Sequence, residues 1–372
     1  MARAIALARR AVGRVSPNPP VGAVVVRDGA VVGEGFTQPP GGPHAEVVAL
    51  RQAGDAARGA TLHVTLEPCC HHGRTPPCTD AIAAAGIARV CFAVPDPNPR
   101  VDGAGAAALR AAGIEVHDGT GAAEARELIA PFARWIASGR PLVTLKYAMT
   151  LDGRIAAHTG DSRWVSGPAS RRRVHAMRDG ADAILVGAGT VVADDPRLTT
   201  RLDGPRPDGG DAHHPLRVIL DSRGRVPLAA RVFDPELPGR TLVACVEVPP
   251  AYADALAARG ADVVRLPAGP DGRVSLPALL DCLGRRGITD LLVEGGAAVH
   301  GAFLDAGLAG RVRAFIAPKL VGGAAAPGPV GGVGAAAMAL ATRLEDVVVE
   351  RIDDDVLVAA TLGAPAATGS AA

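Results

Sequence analysis

The chain has 372 residues, enough for two or three domains that each bury a core. At 48% hydrophobic and 21% charged it reads as a folded globular protein. A net charge of +1 excludes a global field that would draw in nucleic acid or acidic membranes, and 3% aromatic residues leave few stacking platforms for single strands.

All of the 39 basic residues except Lys146 and Lys319 are arginine. Where arginine fills nearly every basic position, a retained lysine suggests a compact amine with no room for a guanidinium. The first residues, "MARAIALARRAVGRV", mix arginine with alanine and do not read as a signal peptide. No apolar run reaches the roughly 18 residues of a membrane span. Three of six cysteines crowd into residues 69–78, which suits one metal cluster in a cytoplasmic protein better than a disulfide framework.

In chain order, an Ala-rich helix (Ala2–Val12) precedes a turn at "SPNPP", a strand "VGAVVV" and a strand "AVVGEGF". A helix follows from Ala45 to about Ala53, and a strand "TLHVTLEP" runs into the cysteines. Next come a helix near Thr79–Ala85, a strand "ARVCFAV", a helix near Ala104–Ala112, a short strand "IEVH" and a helix near Glu124–Ile136. The polar "ASGR" at 137–140 marks a boundary before the strand "PLVTLKYAM". Beyond it strands dominate: "DAILVGAGTVV", "LRVILDS", "TLVACVE", "ADVVRL", "DLLVEGG", "VRAFIAPKLVGG" and two terminal strands around "VVVERIDDDVLVAATL". The alternation argues α/β, with domains at 1–140 and 141–364 and a disordered tail over 365–372.

The stretch "LEPCCHHGRTPPC" offers three cysteines and two histidines, more than one zinc needs. Upstream, His44 and Glu46 sit two apart on the first turn of a helix and so point to different sides. One can ligate a metal while the other handles a proton. His-x-Glu followed by Pro-Cys and a second cysteine is the signature of zinc deaminases, where zinc lowers the pKa of water from about 15.7 towards about 7. Cys69 follows Pro68 and Cys78 follows Pro76-Pro77, so both are held stiffly. Cys70, next to Cys69 in an extended strand end, should point away. A zinc-stapled binding module and a nucleic-acid deaminase are the competing readings. The second is opposed by the charge and the scarce aromatics.

Eight residues separate Cys69 from Cys78, where most such enzymes have two. With that spacing, "NPPVGAVVV", "PHAEVVAL", "HHGRTPPCTDAI" and "DPNPRVDGAG" resemble one family closely. It comprises the bifunctional riboflavin-biosynthesis enzymes that deaminate a diaminopyrimidine and then reduce its sugar. "LKYAMTLDGRIA", "SRWVSG", "DAILVGAGTVVADDPRLTTR" and "LVEGGAAVHGAFL" extend the resemblance over nearly the whole chain.

The resemblance implies a cytidine-deaminase-like three-layer α/β/α domain followed by a dihydrofolate-reductase-like α/β domain. His44, Cys69 and Cys78 would bind zinc, one per chain, with Glu46 as proton carrier. Asn18, His71 and Arg74 would contact the pyrimidine or its ribose phosphate. Thr37 departs from the family, which often has histidine there, and puts a secondary substrate contact in question. In the second half the resemblance implies NADPH, held by Ala148, Trp164, Thr190, Asp194, Ser222 and the run Gly296, Ala297, Ala298, Val299, His300, Gly301 and Ala302. Substrate contacts would fall to Ser162, Arg178, Leu198, Arg201 and Glu294. Arg178 and Arg201 also make sense alone, since a sugar phosphate needs fork donors. Lys146 is the second catalytic candidate. The expected partner is a small phosphoribosylaminopyrimidine, with no nucleic acid or membrane. A homo-oligomer, dimer or tetramer, is the expected assembly.

Overall fold

A computed structural model describes residues 1–72, 76–206 and 210–363. The predicted tail at 365–372 lies outside the described residues. Internal contacts divide the chain into two compact units: Met1–Pro141 with Gly287–Thr289, and Leu142–Arg286 with the chain from Asp290 onward.

The first unit runs α1 (Ala2–Ala11), β1 (Gly22–Arg27), β2 (Ala30–Phe36), α2 (Ala45–Ala53), β3 (Thr61–Val64), α3 (Cys78–Ala84), β4 (Arg89–Phe92), α4 (Ala104–Ala111), β5 (Glu115–Asp118) and α5 (Ala122–Ser138). Its five strands lie in the order β2-β1-β3-β4-β5. β1 is antiparallel to β2 and to β3, while β3, β4 and β5 are parallel, as strand–helix–strand crossovers require. Leu62, Val64, Val90 and Phe92 alternate inward along β3 and β4 and pack against Ala49, Cys78 and Ile82 from α2 and α3. Gly33 and Gly35 of β2 permit this. A Cβ on either would collide with a carbonyl oxygen of α2, so only glycine lets that helix lie close on the strand.

The second unit is built on nine strands: β6 (Leu142–Thr150), β7 (Ala183–Gly187), β8 (Leu216–Leu220), β9 (Thr241–Cys245), β10 (Ala261–Arg265), β11 (Asp290–Gly295), β12 (Arg311–Ala317), β13 (Leu344–Ile352) and β14 (Asp355–Leu362). Their order is β10-β9-β8-β7-β11-β6-β12-β14-β13. Neighbours from β10 through β12 pair in parallel, and β14 pairs antiparallel with β12 and β13. The helices are α6 (Pro168–Gly180), α7 (Ala188–Asp194), α8 (Pro250–Ala258), α9 (Leu276–Arg285) and α10 (Ala297–Asp305). The central strands are apolar on both faces, Ala183–Gly187 being buried throughout, which is how parallel strands under helices read.

Three strand assignments from the sequence change, the first being "TLHVTLEP", which is strand only from Thr61 to Val64. "DAILVGAGTVV" is a strand only to Gly187, and the rest is α7. The β-branched Val191 and Val192 mimic a strand, but Gly187 turns the chain and Val191 packs as helix. "VRAFIAPKLVGG" stops pairing at Ala317. Pro318 has no N–H to continue the ladder.

Candidate active sites

In the first unit, three elements converge on one point. His44 is the N-cap of α2, Cys69 lies in the segment after β3, and Cys78 opens α3. One ligand atom from each of these three residues lies within 4.8 Å of the others, the only such group among the described residues. His44 Nδ1 is 3.2 Å from Cys78 Sγ and 3.6 Å from Cys69 Sγ. Cys69 Sγ accepts from the Cys78 backbone N–H at 3.4 Å, the helix start supplying a fixed dipole.

The electrostatics suit a cation. A hydrogen bond from the Cys78 thiol, with help from His44, draws the Cys69 thiol down to about 4. The same bond, together with burial, pushes Cys78 up, so the two thiols titrate as one coupled pair. One histidine and two cysteines are the donor set zinc prefers, and three protein ligands leave a fourth position open. These residues fit the ion.

Glu46, in the first turn of α2, is 4% exposed, and burial lifts its carboxyl above the usual range. Cys70 stands outside the cluster, its thiol 3.9 Å from the Arg100 carbonyl oxygen. His71 is partly buried, and its Nδ1 has no hydrogen-bond partner among the described residues. Asn18 lies in the α1–β1 connection with its N–H on the Val15 carbonyl. Arg74 lies outside the described residues. Thr37 is buried, its hydroxyl accepting from Val21 N at 3.0 Å, so it is turned to the backbone rather than to the cluster.

Sequence reasoning missed Glu67. Its buried carboxylate accepts from the backbone N–H groups of Asp96, Gly103 and Ala106, at 3.3, 3.0 and 2.9 Å. It thereby ties the segment carrying Cys69 to the start of α4. The cue was a glutamate at a strand end directly before Pro-Cys.

In the second unit a cleft of about 1970 Å³ opens along the carboxyl ends of β6, β11, β7 and β8. Its lining includes every predicted cofactor or substrate residue of this half except Gly301. Gly301 faces the other way, where a Cβ would collide with the Gly331 backbone. His300 reaches the cleft, yet its ring bridges two carbonyls, Nδ1 at 3.0 Å from Pro329 O and Nε2 at 3.2 Å from Val293 O.

At one end stands a charged cluster. Arg178 donates twice to Glu294, at 2.6 and 2.8 Å, and Lys146 Nζ is 3.8 Å from the same carboxylate. The fork of Arg178 is thus already occupied, while the guanidinium of Arg201 donates only to Thr199 Oγ1 at 3.0 Å. Burial alone would raise Glu294, but Arg178 and Lys146 outweigh it and hold it at about 2. Burial also lowers Lys146, with Glu294 opposing, which leaves an amine readier than usual to release a proton. His175, unremarked in the sequence, accepts from Arg201 N, and burial beside Arg178 and Arg201 brings it to about 4.

The turns into α7 and α10 both start helices at glycines, so the start of a helix does not distinguish "VEGG" from "VGAGT". What distinguishes it is Gly296, at φ +77 and with Thr190 Oγ1 only 3.0 Å from where a Cβ would lie. That leaves a close backbone approach of the kind a cofactor phosphate uses.

The matches to known proteins agree with this geometry. The family model "Cytidine and deoxycytidylate deaminase zinc-binding region" matches residues 1–94, and "RibD C-terminal domain" matches residues 141–358. The chain is 42% identical over 357 residues to riboflavin biosynthesis protein RibD of Actinobacillus pleuropneumoniae, covering 96% of this chain and 93% of that one. It is 43% identical over 330 residues to RibD of Escherichia coli, covering 87% and 88%. A solved diaminohydroxyphosphoribosylaminopyrimidine deaminase/5-amino-6-(5-phosphoribosylamino)uracil reductase from Thermotoga maritima superposes with TM-score 0.84 at 40% identity, over 98% of this chain and 97% of that one. Acinetobacter baumannii RibD, form 1, superposes at 0.83 with 39% identity, over 97% of each chain. With both family models and relatives spanning nearly its whole length, the chain belongs to the RibD family of riboflavin-biosynthesis proteins.

Proposed function

We propose that the chain catalyses two consecutive steps of riboflavin biosynthesis. The first is hydrolytic deamination of 2,5-diamino-6-(5-phosphoribosylamino)pyrimidin-4-one in the first unit. The second is NADPH-dependent reduction of the ribosyl group to ribityl in the second unit. The observation that carries the reading is the convergence of His44, Cys69 and Cys78 beside a buried Glu46, in one chain with the cleft around Lys146 and Glu294.

For the deamination, His44, Cys69 and Cys78 would hold zinc, which when bound would make water a competent nucleophile at neutral pH. Glu46 takes the proton from the attacking water and passes it to the departing amine, so ammonia leaves neutral. Its burial suits that task, because a carboxyl lifted towards neutrality both accepts and returns a proton. Asn18, His71 and Arg74 would seat the substrate.

For the reduction, NADPH when bound would supply the hydride that the sugar's C1 needs. Ala148, Trp164, Thr190, Asp194, Ser222 and the turn from Gly296 to Ala302 would hold it, with Gly301 supporting the turn from behind. Lys146, its side chain 15% exposed, is the cation placed to give a proton to the opening sugar. Glu294 keeps that amine charged, and Arg178 keeps Glu294 ionised. Ser162, Leu198 and Arg201 would position the substrate, Arg201 with the guanidinium donors not held by Thr199 open to phosphate.

No helix among the described residues is long and apolar enough to cross a membrane. The work belongs in the cytoplasm, where thiol ligands stay reduced, and in a homo-oligomer. Incubating the purified chain with the diaminopyrimidine phosphate and NADPH tests the reading. Ammonia release and NADPH oxidation are both expected, and the loss of either removes one half of it.

A further inference from the structure

Lys319, the second lysine that composition sets apart, does not line the cleft of the second unit, and the two reactions give it no task. It is exposed and follows Pro318, just past the end of β12. Its amine nonetheless makes a specific contact. Lys319 Nζ donates to the Trp164 carbonyl oxygen at 2.7 Å, across 155 residues of chain.

Trp164 lines the cleft with 63% of its surface exposed, so burial does not fix its indole. It lies in the irregular segment between β6 and α6, where no sheet or helix bond places it. Two cations hold it instead. The Arg171 guanidinium, tied to the Ser166 carbonyl at 2.7 Å, lies over the ring with its central carbon 4.5 Å from the centroid. Lys319 holds the backbone of the same residue.

Lys319 can serve as a fixed arm because its own segment is anchored. Leu151 N donates to the Lys319 carbonyl at 2.9 Å, and Ile155 N to the Pro327 carbonyl at 3.0 Å. The Asp152 carboxylate accepts from Gly322 N at 2.7 Å and from Thr150 Oγ1 at 2.5 Å. Arg154 Nη1 donates to the Ala326 carbonyl at 2.7 Å. These bonds fasten the segment after β12 to the end of β6, the strand that carries Lys146. From that base the amine reaches across to the residue on the cleft wall. A wall group already in place does not have to be ordered when a ligand binds. Because Lys319 is exposed, a guanidinium would also fit, and what the position requires is a donor.

We propose that Lys319 is a positioning residue of the reductase half: it holds Trp164 on the cleft wall through its carbonyl, and so sets NADPH affinity without entering the hydride step. The role rests on the reading of NADPH in this cleft. Trp135 and Trp164 are the two tryptophans of the chain, so Trp135→Phe leaves Trp164 as the sole indole reporter. In that full-length parent, NADPH should quench Trp164 fluorescence by energy transfer to the reduced nicotinamide. Lys319→Met, made in the parent, removes the donor and keeps the reach. It should lower the fluorescence anisotropy of Trp164 and weaken NADPH about 3- to 10-fold, the loss of one hydrogen bond. Turnover of the deaminated phosphoribosylaminouracil at saturating NADPH should stay within about twofold, as expected when only ground-state binding is lost. Lys319→Arg keeps a donor and should return anisotropy and affinity to within about twofold of the parent. The side chain is exposed, so folding is not at stake, and retained turnover reports a folded second unit. A parent that fails to bind NADPH overturns the cofactor reading itself. A parent that binds it, with Lys319→Met equal to it in affinity and anisotropy, overturns only the role of Lys319. So does a Lys319→Met defect in turnover at saturating NADPH, or an affinity defect that Lys319→Arg repeats in full.

Discussion

Glu294 takes both arms of the Arg178 fork, at 2.6 and 2.8 Å, from a position 116 residues away in sequence. The pair is buried, with side chains 12% and 8% exposed, so neither charge has water to fall back on. Breaking it leaves a carboxylate stranded. Arg178→Leu is expected to cost about 3–5 kcal/mol of stability at pH 7, read as a lowered urea midpoint. The pH dependence follows from the sign of the shift. Glu294 is held at about 2 against an ordinary 4.5, so its contribution is present above pH 4.5 and is lost as pH falls towards 2. Wild type should lose stability through that window and Arg178→Leu should lose less. Equal losses in the two proteins would contradict the assignment.

Lys146 lies between Glu294 and the Phe315 ring, 5.9 Å from the ring centroid. A guanidinium is larger and planar, and it does not release its proton near neutrality. Lys146→Arg is expected to cut reductase turnover by at least about tenfold while ammonia release stays at the wild-type rate. Unchanged reductase turnover would return Lys146 to the background of basic residues.

The zinc ligands separate from their neighbour in a simple metal count. Cys69→Ser and Cys78→Ser should lose both zinc and deaminase activity. Cys70→Ser should keep one zinc per chain and most activity, because its thiol faces the Arg100 carbonyl rather than His44. Loss of zinc from Cys70→Ser as complete as from Cys69→Ser would mean a closed structural site and no open position for water.

Glu67 predicts a different kind of defect. Glu67→Gln removes the charge behind three backbone hydrogen bonds, charge-assisted contacts worth about 1.5–3 kcal/mol each. Some of that is retained by the amide oxygen. The variant is expected to bind zinc more weakly and to melt earlier in its first unit, with the pH profile of ammonia release unchanged. A shifted pH profile would make Glu67 part of the proton chemistry.

Much of this was legible in the sequence because the relevant signals are local. His44 and Glu46 share one helical turn, Cys69 and Cys78 are each fixed by a preceding proline, and apolar runs bounded by glycine announce the parallel strands. Lys146 was singled out by composition alone. What escaped depends on distance. Glu294 meets Arg178 only after β11 and α6 assemble, so a residue assigned to phosphate proved to have its fork filled from within. Glu67 and Asp221 look like ordinary acids at strand ends, and only the fold shows their carboxylates turned inward onto backbone amides. The helix α7 was read as strand because two valines outweighed the turn at Gly187.

The two half-sites make one claim together: deamination comes first, and reduction acts on its product. Glu46→Gln tests this directly, since the variant keeps shape and hydrogen bonding at the first site but cannot carry the proton. With the diaminopyrimidine phosphate, wild type should release ammonia and then oxidise NADPH. Glu46→Gln should release ammonia about 10²–10⁴ times more slowly and oxidise NADPH no faster. Supplied instead with the deaminated phosphoribosylaminouracil, the variant should oxidise NADPH at the wild-type rate. Rapid NADPH oxidation by Glu46→Gln on the diamino compound, or undiminished ammonia release, would contradict the account.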